Sequence, residues 1–181
     1  ALETQSTLLV IVSMVVGTVV GTALKIEERL GQLGDWAQKR FSHGGSRFSE
    51  GFVNATLLFG VGAMAVVGSL EAGLSNKPDT LLAKSALDGV FALIFASTFG
   101  PGVILAAVPL TLYQGGIALL ASAIEPYLTE ELIREMSAVG SVLILALGLN
   151  MLGVVKDGIR VGNMLPAMLV PLIYYPLASL F

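Results

Sequence analysis

The sequence has few of the residues on which catalytic and metal chemistry depends. It contains no cysteine and one histidine among 181 residues, which excludes disulfides, thiolate nucleophiles and Cys-type zinc sites. The histidine, His43, lies in a Ser-His-Gly-Gly turn, where a solvated loop is the expected setting. Motifs of the HExxH, GxSxG and phosphate-loop types are also missing. The sequence therefore predicts no enzyme activity, no catalytic residues, no metal site and no cofactor.

Charged residues are scarce as well. Only 13% of the residues are charged and 55% are hydrophobic, and the mean hydropathy is +0.84. A soluble domain carries about 25% charged residues, so this chain has too few polar side chains to cover a surface in water. Its net charge of −3 offers no basic surplus for nucleic acid. The composition predicts an all-α, polytopic transmembrane helix bundle surrounded by a lipid bilayer.

Long apolar segments support this prediction. A helix needs about 20 mostly apolar residues to cross the hydrocarbon core. Six segments approach that length, namely 7–24, 52–70, 81–99, 103–122, 136–155 and 161–181. Gly100, Pro101 and Gly102 interrupt an uncharged run and predict a hinge or break between the third and fourth segments. The third segment either spans the membrane or turns back at this break.

The distribution of basic residues predicts the topology. With six crossings, seven Lys and Arg residues lie on one side of the membrane and three on the other, as the positive-inside rule requires. The loop 25–51 is thereby predicted to face the cytoplasm. Within it, residues 26–41 place apolar side chains at helical spacing with charged residues between them. This pattern predicts an amphipathic surface helix inside a single integral membrane domain, 1–181.

Small residues recur along two of the predicted helices. Such residues allow the backbones of two helices to approach closely. Close packing matters in lipid because the hydrophobic effect does not drive helices together there. The predicted packing residues are Ser13, Gly17 and Gly21 on the first segment, and Gly60 and Gly68, flanking Met64, on the second. These faces suit packing within one chain and a homo-oligomer equally well.

Polar residues near the membrane are the candidates for a functional site. Glu71 ends the second segment and Asp88 enters the third, with Lys84 four residues earlier on the same helical face and expected to pair with it. The carboxylates either lie at the water interface or form a cation or proton site near the outer mouth. The full candidate set for binding a small ion or polar solute is Glu71, Asp88, Ser97, Thr98, Gln114 and Asn150. Hydrogen bonds to neighbouring helices are the alternative role of the uncharged members.

Several sequence runs resemble a known family. They are IEERLGQLGDWAQKR at 26–40, EGFVNATLLFGVGAMAVVGSLEAGL at 50–74, LYQGGIA at 112–118, ALGLNMLGVV at 146–155 and RVGNMLPA at 160–167. In this order they resemble the YqgA/YdfK-like bacterial membrane family, domain of unknown function 554. The resemblance implies a multi-pass inner-membrane protein whose relatives carry further residues and membrane helices before Ala1. It supplies no catalytic or ligand-binding residues.

Two functional hypotheses follow. The first is a transporter or channel for a small ion or polar solute, because the chain consists almost entirely of membrane segments with polar groups beside the break at residues 100–102. The second is a non-transporting sensor, assembly factor or partner subunit that docks through the amphipathic helix 26–41. A polar cavity reaching past Gly100 would favour the first hypothesis, and a dry, close-packed bundle the second.

Overall fold

The computed structural model describes residues 7–41 and 47–178, and within these residues the chain is helical, without strands. This confirms the predicted all-α class. The α-helices are α1 Thr7–Ala23, α2 Ile26–Phe41, α3 Phe48–Gly60, α4 Ala63–Ser75, α5 Asp79–Phe99, α6 Gly102–Leu105, α7 Ala107–Leu119, α8 Ala121–Ile124, α9 Glu130–Met151 and α10 Val170–Ala178. Two 3-10 segments, Glu125–Tyr127 and Val161–Leu169, precede α9 and α10 respectively.

Among the described residues, three stretches are long and apolar enough to cross a membrane. They are Asp79–Phe99, Gly102–Leu119 (α6 with α7) and Glu130–Met151. The number rises to five if α1 with α2, and α3 with α4, each count as one broken span. The last apolar stretch, Val161–Tyr174, is shorter than a crossing. The helices therefore support three to five spans, and the six predicted crossings are not confirmed.

The second predicted segment, 52–70, is not one continuous helix. It divides into α3 and α4, which meet at an angle of 64°. Gly62, between them, has a φ of +136°, which glycine adopts easily and residues with a side chain rarely do. This backbone conformation ends α3, so the prediction of an unbroken span was wrong here, and Gly60 and Gly68 lie on different helices.

The bounds of the last two predicted segments also differ from those of the helices in the structure. α9 starts six residues before the predicted 136, because Thr129 caps it by accepting a hydrogen bond from Leu132 N–H at 3.2 Å. It ends at Met151, shortly before Gly153, whose φ is +67°. The segment from residue 161 begins as a 3-10 helix that contains Pro166, since proline lacks the amide that a regular helix requires.

The chain forms two compact units. One comprises the described parts of Ala1–Glu27, Val61–Ala63 and Ala123–Phe181. In it, α1 lies against the 3-10 segment Val161–Leu169, with Gly17 facing the backbone of Ala167 and Gly21 that of Asn163. Ser13 lies on the same buried face, whereas most of the larger apolar residues of α1, such as Leu8 and Val19, are exposed, and only Leu9 and Val10 near its start are buried. From Ser13 onward, small residues thus face the protein and large apolar residues face outward, as expected for a helix in lipid.

The other unit comprises Glu28–Gly60 and Met64–Ser122. α3 packs on the turn between α5 and α6, where a Cβ on Gly51 would lie 2.8 Å from Phe99 Cβ, and Gly102 abuts the backbone of Phe48. Gly100, with a φ of +82°, makes this turn. The apolar core of the unit consists of Ala55, Phe59, Phe95, Phe99, Val103 and Ala106. This core holds the end of α3 beside α5.

Candidate functional site

The candidate site lies on α5. At about 1.5 Å per residue, this 21-residue helix is about 31 Å long, close to the thickness of a bilayer core of about 30 Å. Lys84 and Asp88 lie five and nine residues after its first residue, so Asp88 is about 14 Å along the axis. An α5 that crosses the membrane from end to end would thus carry Asp88 near the midplane.

Lys84 occupies the centre of this site. Its ammonium donates a hydrogen bond to the carbonyl oxygen of Phe59 at 2.9 Å and forms an ion pair with Asp88. Lys84 is only 7% exposed, although a lysine is rarely buried without a partner. The pairing expected from the i, i+4 spacing is therefore confirmed, and Lys84 has an additional partner that the spacing did not predict.

The Phe59 carbonyl is available because α3 stops. Phe59 is the second-last residue of α3, and the final carbonyls of a helix have no amide one turn later to bond. These carbonyls also carry the partial negative charge of the helix dipole. The Lys84 ammonium lies between this helix end and the Asp88 carboxylate. It thereby satisfies a backbone group that the break at Gly62 leaves exposed within an apolar region.

Glu71 lies in the last turns of α4, four residues before Ser75, and contacts the turn between α4 and α5. Its carboxylate accepts a hydrogen bond from the Thr80 hydroxyl at 2.5 Å, and its backbone carbonyl accepts one from Lys77 N–H at 3.3 Å. Both contacts close the turn that Asn76 makes with a positive φ of 51°. Glu71 is half-buried and bonded to Thr80, the second residue of α5, and to Lys77 before it.

The uncharged candidates on α5 and α7 have different settings. The hydroxyls of Ser97 and Thr98 are exposed and donate to the carbonyl of Ile94, at 2.7 Å and 3.3 Å. They lie nine and ten residues beyond Asp88, which is about 14 Å along the helix. Gln114 is half-buried on α7.

Asn150 closes a loop in the unit that contains α9. Its side-chain amide donates to the carbonyl of Ile159 and accepts from Ile159 N–H, both at 2.6 Å. These paired bonds hold the chain between residues 150 and 159 in a tight loop that includes two glycines with positive φ, Gly153 and Gly158.

The contacts of the candidate residues thus join Lys84 to Asp88, Glu71 to Thr80 and Asn150 to Ile159. Assembly of all six candidate residues into one site stays a prediction.

The structure also shows buried polar residues that the predicted site did not include. Glu135 on α9 is 1% exposed and Asn163 is 3% exposed. A signal for Glu135 was present in the sequence, because Thr129 followed by Glu130 and Glu131 is a typical helix start. That start places Glu135 inside a helix, whereas the prediction left it in a loop.

Glu27 and the segment after residue 160 form a second polar cluster. Glu27 N–H donates to Asn163 Oδ1 at 2.9 Å, and Glu27 Oε2 accepts from Gly162 N–H at 2.5 Å. Burial raises the pKa of Glu27 above its usual value, because desolvation outweighs the backbone donors and the positive charge of Arg160, which lower it. The Asn163 side chain thus caps the start of α2, and the Glu27 carboxylate caps the start of the 3-10 segment Val161–Leu169.

Within residues 7–41 and 47–178, no group of three or more His, Asp or Glu side chains is placed to hold a metal ion. His43, for which a solvated loop was predicted, lies outside the described residues.

Comparison with known proteins places the chain in a family. The family profile described as "Protein of unknown function (DUF554)" matches residues 1–176. The chain belongs to the DUF554 family. Over 169 residues, it is 36% identical to the "Uncharacterized membrane protein YdfK" of Bacillus subtilis (strain 168), an alignment that covers 93% of this chain and 70% of that protein. Over 164 residues, it is 31% identical to the "Uncharacterized protein YqgA" of Escherichia coli (strain K12), covering 88% and 69%. No solved structure matches.

The DUF554 match confirms the resemblance seen in the ordered sequence runs. It extends from the first residue through the 3-10 segment Val161–Leu169 and into α10, so the residues that form both compact units belong to the family. One relative is named as a membrane protein, in agreement with the apolar helices of this chain. This DUF554 protein is therefore a member of a helical membrane-protein family.

Proposed function

We propose that this DUF554 protein is a transporter or channel, and not an enzyme, that moves a small ion or polar solute across the bacterial inner membrane. The observation that supports this most strongly is the Lys84 ammonium held between the Asp88 carboxylate and the Phe59 carbonyl, beside a broken helix.

Ionisable groups are costly within a bilayer. A lysine or aspartate at the centre of a membrane helix costs about 2.5–3.5 kcal/mol on insertion scales. Such groups are usually found where a protein handles ions, protons or polar solutes. Lys84 and Asp88 could be replaced by apolar residues if α5 served only to span the membrane. Their presence on this helix therefore favours a transport role.

The broken helix points in the same direction. Transporters commonly form their binding sites from interrupted helices, whose exposed backbone groups coordinate the solute near the bilayer midplane. Here α3 ends and α4 begins around Gly62, and the Phe59 carbonyl at that end faces a charged side chain instead of lipid. The helix end at the break and the ion pair thus form one polar region, made of Phe59, Lys84 and Asp88.

The geometry suggests how a solute would bind. A small cation that displaced the Lys84 ammonium would meet the oxygens of Phe59 and Asp88, which are ligands that hard cations prefer. A solute that carried a carboxylate would instead compete with Asp88 for Lys84. Either exchange opens the Lys84–Asp88 ion pair, and this gives the site two arrangements.

A flux assay in liposomes tests the proposal. The purified chain is reconstituted, and the uptake of sodium, potassium, protons and a panel of small neutral and anionic solutes is compared with that of empty liposomes. We expect the parent to raise the permeability to at least one solute. Asp88→Asn and Lys84→Gln should each reduce that flux by about tenfold or more, as expected if a charge that binds the solute is removed.

Lys156→Gln and Asp157→Asn are matched controls, because both residues are exposed and lie outside the helices. They should keep the parental flux. Parent liposomes that behave like empty ones for the whole panel, or Asp88→Asn and Lys84→Gln variants that transport like the parent, would contradict the proposal. The alternative of a sensor, assembly factor or partner subunit would then be favoured.

A further inference from the structure

The surface of α2 carries an exposed stripe that the proposed transport site does not use. At about 100° per residue, Arg29, Leu33, Trp36 and Arg40 fall within a sector of about 60°. Leu33 is 55% exposed and Trp36 63% exposed. The stripe therefore has two apolar side chains at its centre and an arginine towards each end.

The orientation of α2 is set by contacts on its other side. A Cβ on Gly34 would lie 2.5 Å from Ser49 Oγ and 3.2 Å from Phe52. Ser49 N–H also donates to the Gln38 side chain at 3.1 Å, and its hydroxyl donates to the carbonyl of Gly31 at 3.4 Å. Because α2 packs on the start of α3 through this glycine-containing face, the arginine stripe is directed away from the unit.

The arginines of the stripe are not used within the protein. In the described ranges, neither Arg29 nor Arg40 has an ion pair or a hydrogen bond through its side chain. The acidic residues of α2 lie on its other side, since Glu27, Glu28 and Asp35 are about 110–150° from the middle of the stripe around the helix. The stripe thus presents two free positive charges on either side of an apolar centre.

We propose that this stripe binds anionic phospholipid head groups, with Leu33 and Trp36 inserted into the interfacial region of the bilayer and Arg29 and Arg40 on the phosphates. Indole prefers the boundary between head groups and acyl chains, and guanidinium binds phosphate through two parallel hydrogen bonds. Interfacial helices combine these two features.

The position of α2 in the chain limits the surfaces that it can meet. It begins at Ile26, three residues after the last residue of the apolar helix α1, and ends seven residues before α3 begins at Phe48. Both ends are therefore tied to apolar helices, which keeps α2 close to the bilayer surface. A basic and aromatic face held there is complementary to anionic lipid, whereas a protein partner would need additional acidic surface of its own.

The single tryptophan of the chain makes the proposal directly measurable. Indole emission reports on Trp36 alone, so the chain can be reconstituted in vesicles that contain an acyl-brominated lipid as a contact quencher. We expect stronger quenching by brominated phosphatidylglycerol than by brominated phosphatidylcholine at an equal mole fraction. Each arginine removed should reduce this preference by about fivefold, and raising the salt from 0.1 M to 1 M, where the Debye length falls to about 3 Å, should also reduce it.

The variant for the test is Arg29→Gln with Arg40→Gln. The control is Lys77→Gln with Lys156→Gln, because both lysines are exposed and their replacement gives the same net charge. The control should keep the preference for phosphatidylglycerol, and circular dichroism should show that both variants are folded. Equal quenching by the two lipids in the parent, or an unchanged preference in the arginine variant, overturns the proposal. So does quenching of Trp36 only by aqueous iodide, which would indicate that the stripe faces water or another protein. None of these results depends on whether the chain transports a solute.

Discussion

Glu27 and Asn163 cap each other's helical segment although 136 positions separate them in the sequence. The backbone amide of Glu27 donates to the Asn163 side chain at 2.9 Å, while the Glu27 carboxylate accepts from Gly162, next to Asn163. Amides in the first turn of a helix have no partner within that helix, so this reciprocal contact satisfies both starts together. It holds the beginning of α2 on the 3-10 segment Val161–Leu169.

Replacing Asn163 tests this contact. Asn163→Ala leaves Glu27 N–H without its acceptor in a largely buried position, which should lower the free energy of unfolding by about 1–3 kcal/mol. The change is measured by reversible unfolding in mixed detergent micelles. Asn54→Ala is a suitable control, because Asn54 is half-buried on α3 and outside this cluster. A loss for Asn163→Ala no larger than for Asn54→Ala would show that the contact contributes little.

The raised pKa of Glu27 predicts a pH dependence. Burial favours the protonated carboxyl in the folded state, so the pKa lies above the ordinary value of 4.5. The stabilisation by the protonated form is complete below pH 4.5 and is lost as the pH rises through the pKa of the folded state. Glu27→Gln keeps an acceptor for Gly162 N–H but does not ionise. The stability of this variant relative to the parent should therefore increase with pH and then level off.

The measurement for Glu27 is a series of unfolding experiments on the parent and the variant across this pH range. Taking the difference between the two chains removes the contribution of the other carboxylates, which both share. A difference that stays constant with pH, or that falls as the pH rises, would contradict a raised pKa of Glu27.

The close approach of α1 to the 3-10 segment predicts a size limit at Gly21. A methyl group there would overlap the carbonyl oxygen of Asn163, so Gly21→Ala should destabilise the fold by about 1–3 kcal/mol, the usual cost of overpacking. Gly89→Ala is the matched control, because nothing lies within 4 Å of its added methyl group. Unfolding in micelles should show a loss for the first variant and little change for the second. Equal stability of the two variants would mean that α1 moves away without cost.

The Lys84–Asp88 pair predicts an energetic coupling. Lys84→Gln should destabilise the protein more than Asp88→Asn, because Lys84 is more buried and also donates to Phe59. A double-mutant cycle with both substitutions should give a coupling of about 0.5–3 kcal/mol. The cycle for the exposed residues Lys156 and Asp157 should give a value near zero. Additive effects of Lys84→Gln and Asp88→Asn would show that the pair is not coupled in the membrane.

Local features of the sequence account for much of the fold. The small residues Gly17 and Gly21 could be assigned to one helical face by their spacing alone, and the alternation of charged and apolar residues located α2. The pair Lys84–Asp88 followed from the i, i+4 spacing. These features depend on helix geometry, which is the same in every protein. They can therefore be predicted without knowing which helices pack against each other.

The break at Gly62 could not be predicted from the spacing of residues along the helix. An apolar run with scattered glycines is compatible with a continuous membrane helix, and only the backbone conformation, with a φ of +136°, shows that the chain turns there. The start of α9 was placed too late for a different reason. Hydropathy marks the apolar part of a helix, whereas Thr129 and the acidic residues after it mark its beginning.

The sequence by itself determined that this protein belongs in a membrane, that it is built of helices and that α2 is amphipathic, because each of these properties follows from composition and from periodicity within one segment. Only the tertiary structure decided that Lys84 closes the end of α3 and that Glu27 meets Asn163. A buried charge or amide needs a partner, and these partners lie 25 and 136 residues away along the chain. Which residues meet is settled by packing between helices, which no single segment encodes.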